Sequence, residues 1–324
     1  MTRIEKAFAE AWQQKEKYQG GAAYIDGTFM PLASAAIPIT EWAYRRSDVT
    51  YDVASVWKGL FFRLDDHIDR FRRSMKSWRM EPDESDSDIR DIALAVVALS
   101  QLRDAYVGMD CLRGRTRQGL PNHPANARNY IAVFARPFAW IIPPAIQERG
   151  AHLIVAETPR IPDRSVDPTV KNFHWGDLTQ ALFEAHDRGA DGAILLDREG
   201  FVTEGPGYNV FAVIDGIVVT SDRGALQGIT RRTVLELCAE LGIETNVRAV
   251  HADELKLADE IFLSTTAGGV MPAARLDGRI LGHDRPGPIA STLRSLFWEK
   301  REAGWHGQAI DYERDERAGR EDHS

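Results

Sequence analysis

Apolar residues recur at helical spacing from Leu64 to Met80, where Ile68, Phe71, Met75 and Trp78 share one face. Asp65 and Asp66 at its start suit the positive end of the helix dipole. A second helix is predicted over 87–103 through Ile89, Ile92, Ala95, Val96 and Leu99. The runs 105–111 and 130–134 read as strands, separated by a loop of arginine, glycine and proline. Two turn pairs, Asp26-Gly27 and Asp215-Gly216, each sit between short apolar runs and predict β-hairpins. Beyond them, strands near 153–156, 193–196, 208–219 and 260–263 mix with helices over 175–188, 230–241 and 288–301.

The stretch from Pro137 to Pro144 is apolar but punctuated by prolines, so it suits neither a central strand nor a helix. It is expected to join two domains, which also suits a chain of 324 residues. The expected division is an N-terminal arm over 1–21, a small domain over 22–136, a linker over 137–145, a large domain over 146–312 and a disordered charged tail over 313–324.

Composition narrows the classes of function. Hydrophobic content of 44% beside 27% charged residues is that of a globular protein. A formal charge of −8 argues against an extended nucleic-acid-binding face. The two cysteines, Cys111 and Cys238, have neither metal-ligand nor redox spacing, so neither a metal site nor a disulfide framework is expected. No apolar run is long enough to span a bilayer and the N-terminus lacks a signal-peptide core, so no membrane association and a cytoplasmic location are expected.

Lysine usage singles out one residue. The chain has eight lysines, and Lys171 is the one lysine between Lys76 and Lys256. Its neighbours in Asp167-Pro168-Thr169-Val170-Lys171-Asn172-Phe173 suggest partial burial, which drives an amine toward its neutral, nucleophilic form. An arginine-rich coding bias would also isolate a lysine, so its surroundings must decide between the two.

Those surroundings contain two turns suited to an anion. Gln227-Gly228-Ile229-Thr230 opens a predicted helix, where unpaired N–H groups and the Thr230 hydroxyl could bind phosphate, or Thr230 could simply cap. Ser264-Thr265-Thr266-Ala267-Gly268-Gly269 follows a predicted strand and offers hydroxyls with close backbone approach, or an ordinary Ser/Thr turn. Glu204, in Thr203-Glu204-Gly205-Pro206-Gly207, ends a strand in a tight turn; buried beside a pyridine nitrogen, it would hold that nitrogen protonated.

Lys171, Glu204, Thr230 and Thr265/Thr266, in this order, resemble the fold-type IV pyridoxal-phosphate transaminases, over roughly residues 22 to 312. The resemblance is closest to the (R)-selective amine transaminases, through 46–53, 61–70, 167–178, 226–231 and 265–269. It implies a mixed α/β, two-domain fold: a smaller N-terminal α/β sandwich and a larger C-terminal pseudo-barrel. It also implies pyridoxal 5'-phosphate as cofactor, small-molecule amine and keto-acid substrates, and a homodimer with shared active sites. Lys171 would form the Schiff base and shuttle the proton, and Glu204 would pair with the ring nitrogen. Arg70, Ile229, Thr230, Thr265 and Thr266 would bind the phosphate, and Leu226 would pack on the ring. Tyr51, Val53, Trp175 and Ala267 would line the substrate pocket. The activity implied is transfer from an (R)-amine to a keto acid such as pyruvate. The alternatives are a D- or branched-chain amino-acid aminotransferase or an aminodeoxychorismate-lyase-like enzyme. A cofactor-binding protein without turnover competes too, but an intact Lys171 and Glu204 speak against it.

The pattern departs from close (R)-amine transaminases at Ala43 and Arg46, where those enzymes carry glycine and histidine, and at Pro206. An Arg46 turned into the pocket would favour carboxylated substrates; one turned to solvent or to a dimer interface would not. For the acceptor's carboxylate, the loop offers Arg113, Arg115 and Arg117, of which Arg115 is the expected ligand.

Overall fold

In the computed structural model, which describes residues 2–313, both Asp-Gly pairs close hairpins. Asp26, Gly27, Asp215 and Gly216 all take positive φ, the geometry that matches a two-residue turn to the twist of its strands. The charged tail expected over 313–324 falls, apart from Glu313, outside the described residues.

By packing, the chain forms two units. The first takes the chain up to Ala139, the short segment Val170–Phe173 and the chain from Gly304 onward. The second takes Trp140–Thr169 and His174–Ala303.

The first unit is built on a seven-stranded antiparallel sheet. Its order is Gly307–Ala309, Leu60–Phe62, Val49–Trp57, Ala105–Leu112, Tyr130–Pro137, Ala22–Ile25 and Thr28–Pro31. Strand alternation sends Ala54, Val56, Val107, Met109, Ile131 and Val133 to one face, where they pack with the helices Leu64–Ser77 and Asp86–Ser100. The second helix begins at a capping box, Ser85 with Asp88. The opposite face carries Tyr51, Val53, Tyr106, Gly108, Asp110 and Phe134, as the pairing of Tyr51 with Asp110 and of Gly108 with Phe134 requires.

The expected N-terminal arm packs on the first unit: its helix Arg3–Trp12 buries Ile4, Phe8 and Trp12 in that unit's core. Two segments lie elsewhere than the sequence division put them. Gly307–Ala309 adds an edge strand to the first unit's sheet because its backbone pairs with Leu60–Phe62. The lysine segment also belongs to the first unit, through a bridge between Thr50 and Asn172.

The second unit holds a nine-stranded mixed sheet running Thr245–Val247, Ile217–Thr220, Tyr208–Ile214, Glu260–Thr265, Gly269–Leu276, Ala151–Val155 and Gly192–Ile194. Glu204–Gly205 and Arg279–Ile280 pair at its flanks. The helices Gly176–Asp187, Ile229–Glu240 and Pro288–Glu302 complete it, within a residue or two of their predicted limits. This is the mixed α/β, two-unit architecture expected from the sequence. Among the described residues, no helix is long and apolar enough to cross a membrane.

Candidate functional site

Lys171 is held in place by its backbone. Its N–H donates to Ser74 Oγ at 3.1 Å, and its carbonyl accepts from the Tyr51 N–H at 3.0 Å. The side chain is half-buried, with Nζ 4.4 Å from the centroid of the Tyr51 ring. Phe173 meets the same ring edge-on at 4.9 Å. Tyr51 and Val53 are both buried and alternate onto the face that carries the lysine.

Behind that face lies a buried ionic group. The Asp52 carboxylate accepts Arg70 Nε at 2.7 Å and Nη2 at 2.8 Å, and lies 2.7 Å from His67 Nδ1. Burial by itself would raise the Asp52 carboxyl, but the Arg70 guanidinium overrides it and holds the group well below the usual carboxylate range. Burial pushes the His67 imidazole below its ordinary value, against the pull of Asp52. Arg70 is therefore a buried, oriented cation and not one more solvated arginine of its helix.

The loop arginines separate clearly. Arg113 is consumed by the fold: its guanidinium bonds Asp48 and the carbonyls of Trp78 and Arg79. Arg115 and Arg117 are exposed. Arg46 is also exposed and lies over the Trp42 ring at 4.2 Å.

In the second unit, strand register sets Glu204 opposite Asn209 and Asn209 opposite Ser264. Glu204 is buried, and its Oε1 accepts Arg160 Nε at 3.2 Å and Nη2 at 2.9 Å. Its Oε2 accepts the Leu226 N–H at 3.0 Å. Arg160 in turn donates Nη1 to Asp177 Oδ2 at 2.6 Å. Burial disfavours the charge on Arg160, but Glu204 and Asp177 outweigh it and raise its pKa. Gly205 is required here because a Cβ would lie 2.1 Å from the Tyr208 ring and 2.4 Å from the Ala193 carbonyl.

Asn209 also organises the anion-suited turns. Its Nδ2 donates to the Leu226 carbonyl at 2.7 Å, and its Oδ1 would lie 2.1 Å from any Cβ at Gly228, the N-cap of the helix Ile229–Glu240. No side chain caps that helix, so its first N–H groups remain to be satisfied. Thr230 is buried at its second position, and its hydroxyl has no protein partner among the described residues; the Thr266 hydroxyl is likewise unpaired. Ser264 Oγ is buried without a hydrogen-bond partner among the described residues. Thr265 Oγ1 donates to the Gly207 carbonyl at 2.8 Å, and Ala267 is buried in the same turn. Trp175 lies beside Gly207, where a Cβ would meet its ring at 3.4 Å.

The structure thus gathers Lys171, Tyr51, Val53 and Arg70 in the first unit, and Glu204, Leu226, Ile229, Thr230, Thr265, Thr266, Ala267 and Trp175 in the second. Sequence reading missed Asp52, Asp110, Arg160 and Asn209. Asp177 stood in plain view in His174-Trp175-Gly176-Asp177, but nothing local ties it to Arg160, 17 residues earlier.

Known proteins resemble this chain along most of its length. The family described as amino-transferase class IV matches residues 50–276. A branched-chain-amino-acid aminotransferase of Pseudomonas aeruginosa is 32% identical over 74% of this chain and 78% of its own. A D-alanine aminotransferase of Bacillus licheniformis is 29% identical over 84% and 94%. Among solved structures, a T.th. branched-chain amino acid aminotransferase with pyridoxamine 5'-phosphate aligns with a TM-score of 0.83 at 28% identity, covering 90% of this chain and 99% of that one.

Proposed function

Because the chain belongs to the class IV amino-transferases, enzymes that use pyridoxal 5'-phosphate, we propose that it moves an amino group from an (R)-configured primary amine to a keto acid such as pyruvate. The observation that carries the donor class is the sheet face around Lys171. Tyr51, Val53 and Phe134 make it apolar, and Asp110 adds a carboxyl. A donor bearing its own carboxylate would meet like charge there, whereas a plain amine meets apolar wall.

The residues present fit the cofactor. The uncapped helix start at Gly228, the unpaired hydroxyls of Thr230 and Thr266 and the orphaned Ser264 Oγ supply what a phosphate accepts. Glu204 supplies the carboxylate that a ring nitrogen needs. When bound, pyridoxal phosphate provides an aldehyde that takes up amines and a ring that draws electrons from the carbon losing its proton.

In this reading Lys171 would hold the cofactor through its amine and, once freed, would remove and return the proton at the donor carbon. Glu204 holds a proton on the ring nitrogen. Arg160 and Asp177 keep it aimed: two carboxylates around one guanidinium leave one net negative charge toward a cationic ring. Arg70, Ile229, Thr230, Thr265 and Thr266 would hold the phosphate, and Leu226 would pack on the ring. Tyr51, Val53, Trp175 and Ala267 wall the substrate, and the exposed Arg115 meets the acceptor's carboxylate.

A second reading, an amino-acid donor of D or branched-chain type, is favoured by the names of the relatives. The rate at which the cofactor's aldehyde absorbance is lost, measured with (R)-1-phenylethylamine, D-alanine and L-leucine in turn, separates the two. A rate confined to the amino acids removes the (R)-amine assignment. The same reading includes a homodimer with shared sites, supported by the exposure of Ile39 (71%) and Tyr44 (69%), and tested by sedimentation. It also includes a cytoplasmic location, supported by the free, buried Cys111 and Cys238.

A further inference from the structure

Asp110 is the one carboxylate of the inner strand Ala105–Leu112, and it stands on the face that carries Lys171. It lies directly opposite Tyr51 in the antiparallel register, which sets their Cβ atoms about 5 Å apart. Tyr51 is the residue whose ring receives Lys171 Nζ. Its other cross-strand neighbour, Ala132, is too small to cover it. Along the same face, Tyr106 stacks with Phe134, whose ring crosses over Gly108 where any Cβ would meet it at 2.4 Å. The cation on this face beyond the lysine, Arg136, is held over the Tyr106 ring at 4.5 Å. The Asp110 side chain makes no hydrogen bond or ion pair among the described residues, yet it keeps some exposure.

A carboxyl in this position is costly to the fold. Burial pushes it up to about 7. A serine or a leucine could have stood there at no such cost, and groups left desolvated and unpaired mark functional positions. An ionised carboxylate only accepts, and the aromatic rings beside it also favour a positive charge.

We propose that Asp110 is a specificity-determining residue that receives a second ammonium group on the amine donor, so that the preferred donors are diamines or their cationic equivalents. The wall then sets a carboxylate beside the rings of Tyr51 and Phe134, and the donor supplies the counter-charge that the protein withholds. This deepens the aminotransferase reading and rests on it for the placement of donors on this face.

The test compares donors that differ only in a terminal ammonium against a methyl group: (R)-pentane-1,4-diamine with (R)-hexan-2-amine, and D- and L-ornithine with D- and L-norleucine. Single-turnover loss of the cofactor's aldehyde absorbance at about pH 8, where the terminal amine is charged, gives rate and half-saturation for each. The expected result, in whichever pair reacts, is a preference for the cationic member of about tenfold or more, carried by half-saturation. In Asp110→Asn and in Asp110→Ser that preference falls to within about twofold of unity. A wild-type enzyme that treats both members alike overturns the proposal without any variant, and so does a preference that survives in the Asn protein. If only an ornithine pair reacts, the (R)-amine assignment fails while Asp110 is judged on that pair.

Discussion

Replacing Arg160 by Met tests the electrostatic arrangement behind Glu204. Methionine keeps most of the apolar volume and removes the charge, so the change isolates electrostatics from cavity formation. Three hydrogen bonds disappear, two on Glu204 Oε1 and one on Asp177 Oδ2. The side chains of Arg160, Glu204 and Asp177 are 11%, 10% and 6% exposed, so both carboxylates are left nearly dry without a counter-charge. Breaking a buried pair in this way costs about 3–5 kcal/mol. The lower end is expected, because Glu204 keeps the Leu226 N–H and Asp177 keeps the N–H groups of Ile161 and Leu178. Urea unfolding at fixed cofactor concentration reads the stability loss. Single-turnover kinetics read the chemistry, where a fall of roughly 10-fold or more is expected from a misaimed Glu204. Adding Asp177→Asn should recover part of the stability, by removing one stranded charge, without restoring the rate. A loss under ~1 kcal/mol with an unchanged rate would refute the claim that Arg160 keeps Glu204 aimed.

Three further outcomes are expected. Lys171→Ala should abolish turnover, and borohydride reduction of the wild-type holoenzyme should leave the cofactor's mass on the peptide containing Lys171; label on another lysine removes its assignment. Glu204→Gln should lower the single-turnover rate by on the order of 100-fold while cofactor stays bound, and an unchanged rate would remove its role at the ring nitrogen. Asp110→Asn should be more stable than wild type at alkaline pH. The folded carboxyl titrates near 7 and the unfolded one near 3.9, so folding favours its protonated form, and that advantage is lost as pH rises through 7. At ~1.4 kcal/mol per pH unit the ceiling is ~4 kcal/mol, and residual exposure reduces the expected gain to about 2 kcal/mol above pH 7, vanishing near pH 4. Equal urea midpoints for the two proteins at pH 8 would contradict it.

Much of the fold could be read locally because its signals are local. The Asp-Gly turns sit where predicted, and the helices Leu64–Ser77, Asp86–Ser100 and Ile229–Glu240 follow their apolar spacing. The anion-suited turns were visible too, since a glycine before a helix and a Ser/Thr run after a strand are contiguous. The unit boundaries were less legible. Gly307–Ala309 is too short to announce a strand and forms one only because the edge at Leu60–Phe62 is open to it. The lysine segment has no secondary-structure signature, and its anchorage depends on Ser74, 97 residues away.

The sequence by itself determined which chemical groups the protein owns: an isolated lysine, a glutamate in a tight turn and hydroxyl-bearing loops, in an order that identifies the family. Those features are fixed by residue identity and near neighbours. What only the tertiary structure decided is which charges are neutralised and which are left open. Arg70 and Arg113 looked alike along the chain, yet Asp52 and Asp48 engage them, while Arg160 joins Glu204 across 44 residues and Asp110 finds no counter-ion among the described residues. Pairing of buried charge depends on distances and desolvation set by strand register and packing, and neither quantity is encoded in any contiguous stretch of chain.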